Sequence, residues 1–550
     1  MPAVTRRTKL LTLGAMCFAL FMAMLDNTVV NVALPSIQRH LGSGVSGLQW
    51  IIDAYTLVFA GLMLSGGALG DIFGRKRFFV IGLTIFTAGS LLCGLAPSLA
   101  VLIAGRAVQG LGAAALLPGT LSILTNTFHD PRERAQAIAI WAGVSGLALA
   151  LGPLVGGALV DRFGWQSVFF LNVPIGIVAL AVALRAVRES RSPESRRLDL
   201  PGQALAVVAL GSLTYALIEA NTYGWTSPAI LGLFAAAALA AAIFVGIEVR
   251  GQSPMLQLRF FRDPTFAAAV TCSGLISFGL FGMFFFMSLF FQNVQGYTPL
   301  QAGLRTLPAS GMVMLVAPLA GRIAGRIGSR IPLTAGMVLS AFSMYLLTTV
   351  DATTGYGHIW PALLLAGVGM SLVMTPTTAA VMSAVPRERA GMASATSNVS
   401  REVGGVFGIA LLGAIVTHIF SRDLSRAITA LHLPPALKEA IITQASHGAE
   451  RAAATALPPG VNGAALHAAA GASFVAGMHA AMIVAVVALA AGALAAAVFV
   501  RGGRPQQIPA PSRRRQATSG AQARPEGDGE GANRDGVDLD MPDNEAEATT

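Results

Sequence analysis

Apolar residues run along this chain in long blocks, and short polar clusters separate them. A helix needs about 20 mostly apolar residues to cross the hydrocarbon of a bilayer. Fourteen blocks meet that length, centred near Phe18, Val58, Phe86, Gly112, Leu147, Ala179, Leu210, Leu239, Leu280, Val313, Ser340, Val368, Gly408 and Val486. The pattern predicts an all-α membrane protein with fourteen transmembrane helices. Composition agrees, with 54% of the 550 residues hydrophobic and 12% charged, against about 25% charged in soluble domains.

The net charge of +10 suggests nucleic acid only until it is distributed over the loops. With the N-terminus inside, Arg39, Arg162, Arg422, Arg426, Lys438 and Arg451 fall on outer loops, and Arg106, Arg305 and Arg401 lie within or at the ends of spans. Every other Lys and Arg lies inside. This is the positive-inside bias, so the basic excess reports topology, and no nucleic-acid partner is expected. The expected location is the cytoplasmic membrane, multi-pass, with both termini cytoplasmic. Arg6, Arg7 and Lys9 ahead of the first apolar block resemble a secretory signal, but no small-residue cleavage site closes it. An uncleaved first span is expected. Cys17, Cys93 and Cys272 all fall inside spans, which leaves no disulfide framework or zinc spacing. No metalloprotease helix motif, P-loop or Cys/His cluster is present, so neither a catalytic nor a metal site is predicted.

An internal repeat organises the spans. "PRERA" at Pro131–Ala135 returns at Pro386–Ala390, a shift of 255, and "GALGDIFGRK" at Gly67–Lys76 is echoed by "GRIAGRIGSR" at Gly321–Arg330, a shift of 254. Both pairs lie in inside loops, so the chain reads as two parallel six-helix halves with two extra helices inserted between them. The expected divisions are 1–190 for the first half, 191–263 for the inserted pair and its linkers, and 264–500 for the second half. A long outer loop at about 421–470 is expected, with helical stretches near 437–445. Residues 501–550, basic at Arg513–Arg515 and acidic at the end, are expected to form a disordered cytoplasmic tail. Parallel halves about a midplane site are a transporter plan.

A few polar residues break the apolar blocks. No residue from Leu10 to Leu25 is charged, and then Asp26 appears. Ionisable residues at bilayer depth are costly and usually face a protein-lined cavity. Asp26 reads as a proton carrier or as a satisfied packing residue, and Asp53 in "WIIDAYTL" offers the same pair of readings. Two carboxylates facing one cavity would each favour proton uptake by the other. Arg106 shares a helical face with Gln109 and Gly110; it reads as a coupling residue or as a structural arginine bonded to carbonyls. Arg401 and Glu402 form a possible second-half charge site, pointing about 100° apart on their helix. Glu219 and Glu248 lie at span ends, where a snorkelled carboxylate is expected. "FGLFGMFFFMSLFFQ" at Phe278–Gln292 offers Phe281, Phe285 and Gln292 as cavity lining, since Phe- and Met-rich surfaces adapt to varied ligands; a lipid face explains the stretch equally well. Gly152, Pro153, Gly156 and Gly157 permit close helix packing and a bend.

Four stretches together, "LDNTVVNVALP", "GALGDIFGRKR", "RAVQGLGAAAL" and "LGPLVGGAL", resemble the major facilitator superfamily, and within it the fourteen-helix drug:proton antiporters. The likeness covers about residues 10–500. It implies that Asp26, Asp53 and Arg106 serve proton coupling. It also implies that Gly67, Asp71, Gly74 and Arg75 latch the halves in an outward-facing state, and that Gly152, Pro153, Gly156 and Gly157 form the span 5 antiporter motif. Ala68 and Ile72 stand where the family often carries basic residues, and Gly325 replaces the acid in the second copy of the loop. The resemblance implies alternating-access export of small hydrophobic or cationic drugs, driven by the proton gradient without a cofactor and carried out by a monomer in the bilayer. Proton symport of a polar solute and a non-transporting membrane sensor are the alternatives.

Overall fold

The computed structural model describes residues 5–191, 199–251, 255–386, 389–430 and 463–501. Among them there is no strand. Fourteen helices are long and apolar enough to cross a membrane. The first six are α1 (Arg6–Leu41), α2 (Val45–Phe73), α3 (Arg75–Gly94), α4 (Leu99–Thr127), α5 (Pro131–Phe163) and α6 (Ser167–Ala186). Next come α7 (Leu200–Tyr223), α8 (Pro228–Arg250), α9 (Pro264–Val294) and α10 (Pro299–Ile327). The last four are α11 (Arg330–Leu347), α12 (Tyr356–Ser383), α13 (Ala390–Ala430) and α14 (Gly463–Phe499).

Local chemistry marks the helix starts. Proline opens α5, α8, α9 and α10, where its missing N–H is no loss. Asp130, Ser227, Asp263 and Thr298 stand before those prolines and accept backbone N–H bonds. The helix ends repeat at the spacing seen in the sequence. Gly42 and Gly296 both have positive φ, 66° and 69°, as do Gly74 and Gly328, at 114° and 84°. Each pair is separated by 254 positions, so the turns after α1 and α2 recur after α9 and α10. These turns name the two ends of the bundle, a Gly42 end and a Gly74 end.

Packing repeats as well. In the first half α1 lies on α4, α5 and α6, α4 on α2 and α3, and α3 on α6. In the second half α9 lies on α12, α13 and α14, α12 on α10 and α11, and α11 on α14. The halves meet through α5 against α10 and α2 against α13, which the repeat makes equivalent contacts. Inserted helix α7 breaks this symmetry by resting on both α2 and α13. Gln203 of α7 bonds Gly61 O and accepts from Ser65 of α2, and Asn221 donates to Ala414 O of α13 at 2.8 Å.

Two expected features differ. The stretch 421–470 is helical at both ends: 421–430 extend α13 and 463–470 open α14. The helical stretch expected near 437–445 lies outside the described residues, as does the tail beyond Arg501. Nor do the span-end acids both reach for solvent. Glu248 is buried and accepts the Leu256 N–H at 3.2 Å with each oxygen, while Glu219 accepts from Trp50 Nε1 at 3.0 Å. A backbone or indole N–H nearby satisfies these carboxylates better than a reach toward water.

Candidate functional site

Five helices of the first half bring a polar cluster into its apolar interior. Asp26 of α1 and Arg106 of α4 are 0% and 1% exposed, and Arg106 Nη1 stands 2.5 Å from Asp26 Oδ2. The other carboxylate oxygen accepts from Gln109 at 3.1 Å and from Asn172 of α6 at 2.7 Å. Arg106 also donates to Gln109 Oε1 at 2.8 Å and to Ile51 O of α2 at 2.9 Å, and its guanidinium lies 4.4 Å from the Tyr55 ring centroid. Gln109 closes the network onto Ser90 of α3 at 2.7 Å. Glycine makes this reach possible: a Cβ on Gly89 would lie 2.9 Å from Gln109 N, so α3 and α4 approach at van der Waals distance. Burying two ions is tolerable when both are paired and hydrogen-bonded, and here each is.

This geometry corrects the expectation that Asp26 faces a cavity. It faces the interior of its own half. The bond from Arg106 to Ile51 O fits the reading of a structural arginine bonded to a carbonyl. Asp53 is not in the network. It is fully buried on α2, and neither carboxylate oxygen has a hydrogen-bond partner among the described residues. The two acids therefore do not face one shared cavity. Gln109 was visible on the Arg106 face, but Ser90 and Asn172 were not singled out; an asparagine opening an otherwise apolar span was the available signal.

The cavity lies elsewhere, between the halves. Its volume is about 80 Å³, and Asn27, Thr28 and Asn31 of α1 form one wall. Phe281 lines it as expected, with Phe284 beside it. Phe285 does not: it is fully buried against Phe286. Gln292 does not either. It is buried and donates to Val32 O at 3.0 Å, pinning α9 to α1, because its position on the helix turns it toward the neighbouring backbone. Asn31 gains a place here, its Oδ1 unpartnered and its N–H donated to Asn27 O at 3.1 Å.

Above the cavity the halves are sealed toward the Gly42 end by uncharged bonds. Ser288 donates to Asn31 O at 2.6 Å, Asn293 to Gln38 Oε1 at 2.8 Å, and Gln49 of α2 to Ile409 O of α13 at 2.7 Å. Of the span 5 glycines, Gly157 meets the other half at the start of α10, whereas Gly152 and Gly156 pack α5 on α1 of their own half. Gly152 abuts Thr28, a Cβ on Gly156 would lie 3.0 Å from Val29 Cα, and one on Gly157 would lie 2.6 Å from Pro299 O. Pro153 presents its carbonyl to Gly303 of α10. Helix α13 repeats the device on α9, with Gly404 against Gly274 and Gly408 against Phe278. Toward the Gly74 end, Gly143 and Gly146 of α5 and Gly311 and Gly325 of α10 would meet nothing within 4 Å. There α5 and α10 leave most of their residues exposed or half-buried.

The loop after α2 is held by its own half. Asp71 accepts from Arg75 Nε at 2.7 Å across the Gly74 turn. Glu189, not singled out from the sequence, accepts the first N–H groups of α3, from Lys76 at 3.0 Å and Arg77 at 3.1 Å, as a carboxylate at a helix N-terminus should. Gly67 and Gly70 have ordinary room; the glycine pressed against its neighbour is Gly66, on the Ala114 carbonyl. In the second half Arg401 Nη2 stands 3.5 Å from Glu402 Oε1, and Glu402 Oε2 is unpartnered among the described residues.

Two parallel six-helix halves closed at one end around a central cavity define a membrane transporter, not an enzyme. The chain belongs to the Major Facilitator Superfamily, whose family model matches residues 16–409. It is 42% identical over 418 residues to the multidrug resistance protein Stp of Mycobacterium tuberculosis, covering 76% of this chain and 78% of that protein. It is 36% identical over 505 residues to the tetracenomycin C resistance and export protein of Streptomyces glaucescens, covering 90% and 92%. Among solved structures, a bacterial homolog of the human lysosomal transporter Spinster, inward-facing and occupied, shares the fold with a TM-score of 0.63 at 18% identity, over 91% of this chain and 98% of that one.

Proposed function

We propose that this transporter exports small hydrophobic drugs across the cytoplasmic membrane in exchange for protons, as a monomer and without a cofactor. The observation that carries the reading is the double use of α1. One face holds Asp26 in the ion pair with Arg106, and the other presents Asn27, Thr28 and Asn31 to the cavity. A proton taken up by Asp26 removes the charge that Arg106 pairs with. The network joining α1, α2, α3, α4 and α6 must then rearrange, and the α1 wall of the cavity moves with it. Asp53, buried without partners, is a second proton carrier in this scheme, and Glu402 a third. The relatives' names, resistance and export proteins for multiple drugs and for tetracenomycin C, support the direction and the kind of cargo.

The charge distribution supports a cytoplasmic Gly74 end and cytoplasmic termini, and on that reading the conformation described, closed at the Gly42 end, is inward-facing. Asp71 and Arg75, bonded within the first half here, form the latch that engages when the Gly74 end closes. Antiport requires that proton and drug favour different states, since a ligand indifferent to the states shifts nothing. Everted vesicles test the proposal: adding a transported drug to vesicles holding a pre-formed pH gradient should dissipate it, and Asp26→Asn should cut that response by about a hundredfold. A broad drug panel that moves no protons overturns the reading.

A further inference from the structure

We propose that Trp50, Tyr215 and Glu219 form a site for the ammonium headgroup of a phosphatidylethanolamine lipid, at the surface of the bundle near its Gly42 end. The three residues come from two helices. Trp50 lies in the second turn of α2, and Tyr215 and Glu219 lie one turn apart toward the end of α7, where a spacing of four puts them on one face. The two rings have centroids 5.5 Å apart and are tilted 55° to one another. The Trp50 indole N–H donates to Glu219 Oε1 at 3.0 Å and holds the carboxylate beside them.

Trp and Tyr at a membrane boundary are ordinary anchors; the carboxylate sets this group apart. The indole occupies one of its oxygens. The other, Oε2, accepts no hydrogen bond among the described residues and is not enclosed. Nor does any salt bridge among those residues reach Glu219. Trp50 and Glu219 are half-buried and Tyr215 is 39% exposed, so both rings and the acid are open to the bilayer. A carboxylate there is costly without a cation, and a lipid ammonium group supplies one. It gains a charge-assisted hydrogen bond to Oε2 and the attraction of the ring faces. The same chemistry ranks headgroups. Ethanolamine brings N–H groups for the acid and a charge for the rings, whereas choline brings the charge alone. The anionic headgroup of phosphatidylglycerol meets Glu219 as a like charge.

Native mass spectrometry of the purified full chain tests the site, with an equimolar mixture of phosphatidylethanolamine, phosphatidylcholine and phosphatidylglycerol carrying identical acyl chains. Phosphatidylethanolamine should be retained about tenfold over phosphatidylglycerol, with phosphatidylcholine between them. Glu219→Gln should bring the three together, and Tyr215→Leu should lower both cationic headgroups relative to phosphatidylglycerol. Melting temperatures of the two variants separate loss of the site from loss of the fold. Ethanolamine hydrochloride at the same concentration as the lipid should leave it in place, because the acyl chains hold the headgroup at the bundle surface. The proposal is overturned if phosphatidylglycerol is retained as well as phosphatidylethanolamine, or if neither variant changes the ranking. Displacement by ethanolamine overturns it too, since the site would then belong to soluble ammonium compounds.

Discussion

The two halves of this transporter share a skeleton and bury different chemistry. Helix for helix, α1–α6 and α9–α14 pack in the same pairs and turn at glycines 254 positions apart. Inside, the first half holds Asp26, Asp53, Arg106, Gln109 and Asn172, whereas the only charged residue among the described buried ones of the second half is Glu402. The rest of the second half's buried polar residues are Ser and Thr, apart from Gln292. Helix packing in a membrane depends on shape and small residues, and so survives divergence of the polar content. Charge at depth is costly, and the first half pairs Asp26 with Arg106 and bonds both further. The comparison teaches that the repeat is a packing repeat and that the buried ionisable residues described are concentrated in one copy.

The largest expected effect tests that concentration. Asp26→Asn and Arg106→Gln each leave a buried partner alone, at a cost of about 3–5 kcal/mol, and should cut substrate-driven proton movement by about a hundredfold, the equivalent of roughly 2.7 kcal/mol. The double variant Asp26→Asn/Arg106→Gln should regain most of the lost melting temperature and none of the proton movement. Glu402→Gln, in the second half, should lower proton movement less than tenfold. An equal loss at Glu402 would break the comparison.

Packing, by contrast, should respond alike in both halves. Gly156→Val on α5 and Gly408→Val on α13 each drive a side chain into a neighbouring backbone, and each should destabilise the purified protein by about 1–3 kcal/mol in thermal unfolding. A smaller effect is expected at the seal. Gln49→Leu removes the bonds of its amide to Ile409 O and Ala410 O, and Asn221→Leu the bond to Ala414 O, all carbonyls of α13, about 1 kcal/mol per bond. Spin-label distances across the Gly42 end should then show a larger population of separated halves. The smallest is Glu189→Gln, which weakens the charge at the start of α3 by about 0.3–1 kcal/mol and should be seen only as a slight drop in melting temperature.

Spans, repeat and family were legible because each depends on local pattern. A block of apolar residues has one low-energy form in lipid, the helix, since every backbone polar group must be satisfied within it. The site was legible in part. Asp26 and Arg106 stood out because charge in an apolar run has few explanations, and their pairing makes each the explanation of the other. Phe285 and Gln292 were misjudged because in a segment apolar all round nothing in the pattern distinguishes the cavity face from the packed face. Glu189 and Asn172 were missed because a lone acid after a span, or an asparagine at the head of one, carries no spacing signature.

By itself, then, the sequence determined the fourteen described spans, the two-copy plan and which charged residues are buried in the spans, all consequences of hydrophobicity and repetition along one dimension. Only the tertiary structure decided which face of α1 each residue occupies. Asp26 and Asn31 are five positions apart, a rotation of about 140° at 100° per residue. What lies opposite each face depends on helices far away in the chain: Arg106 and Asn172 on one side, Ser277 and Phe281 on the other. Those partners are chosen by packing, and packing is a property of the assembled bundle.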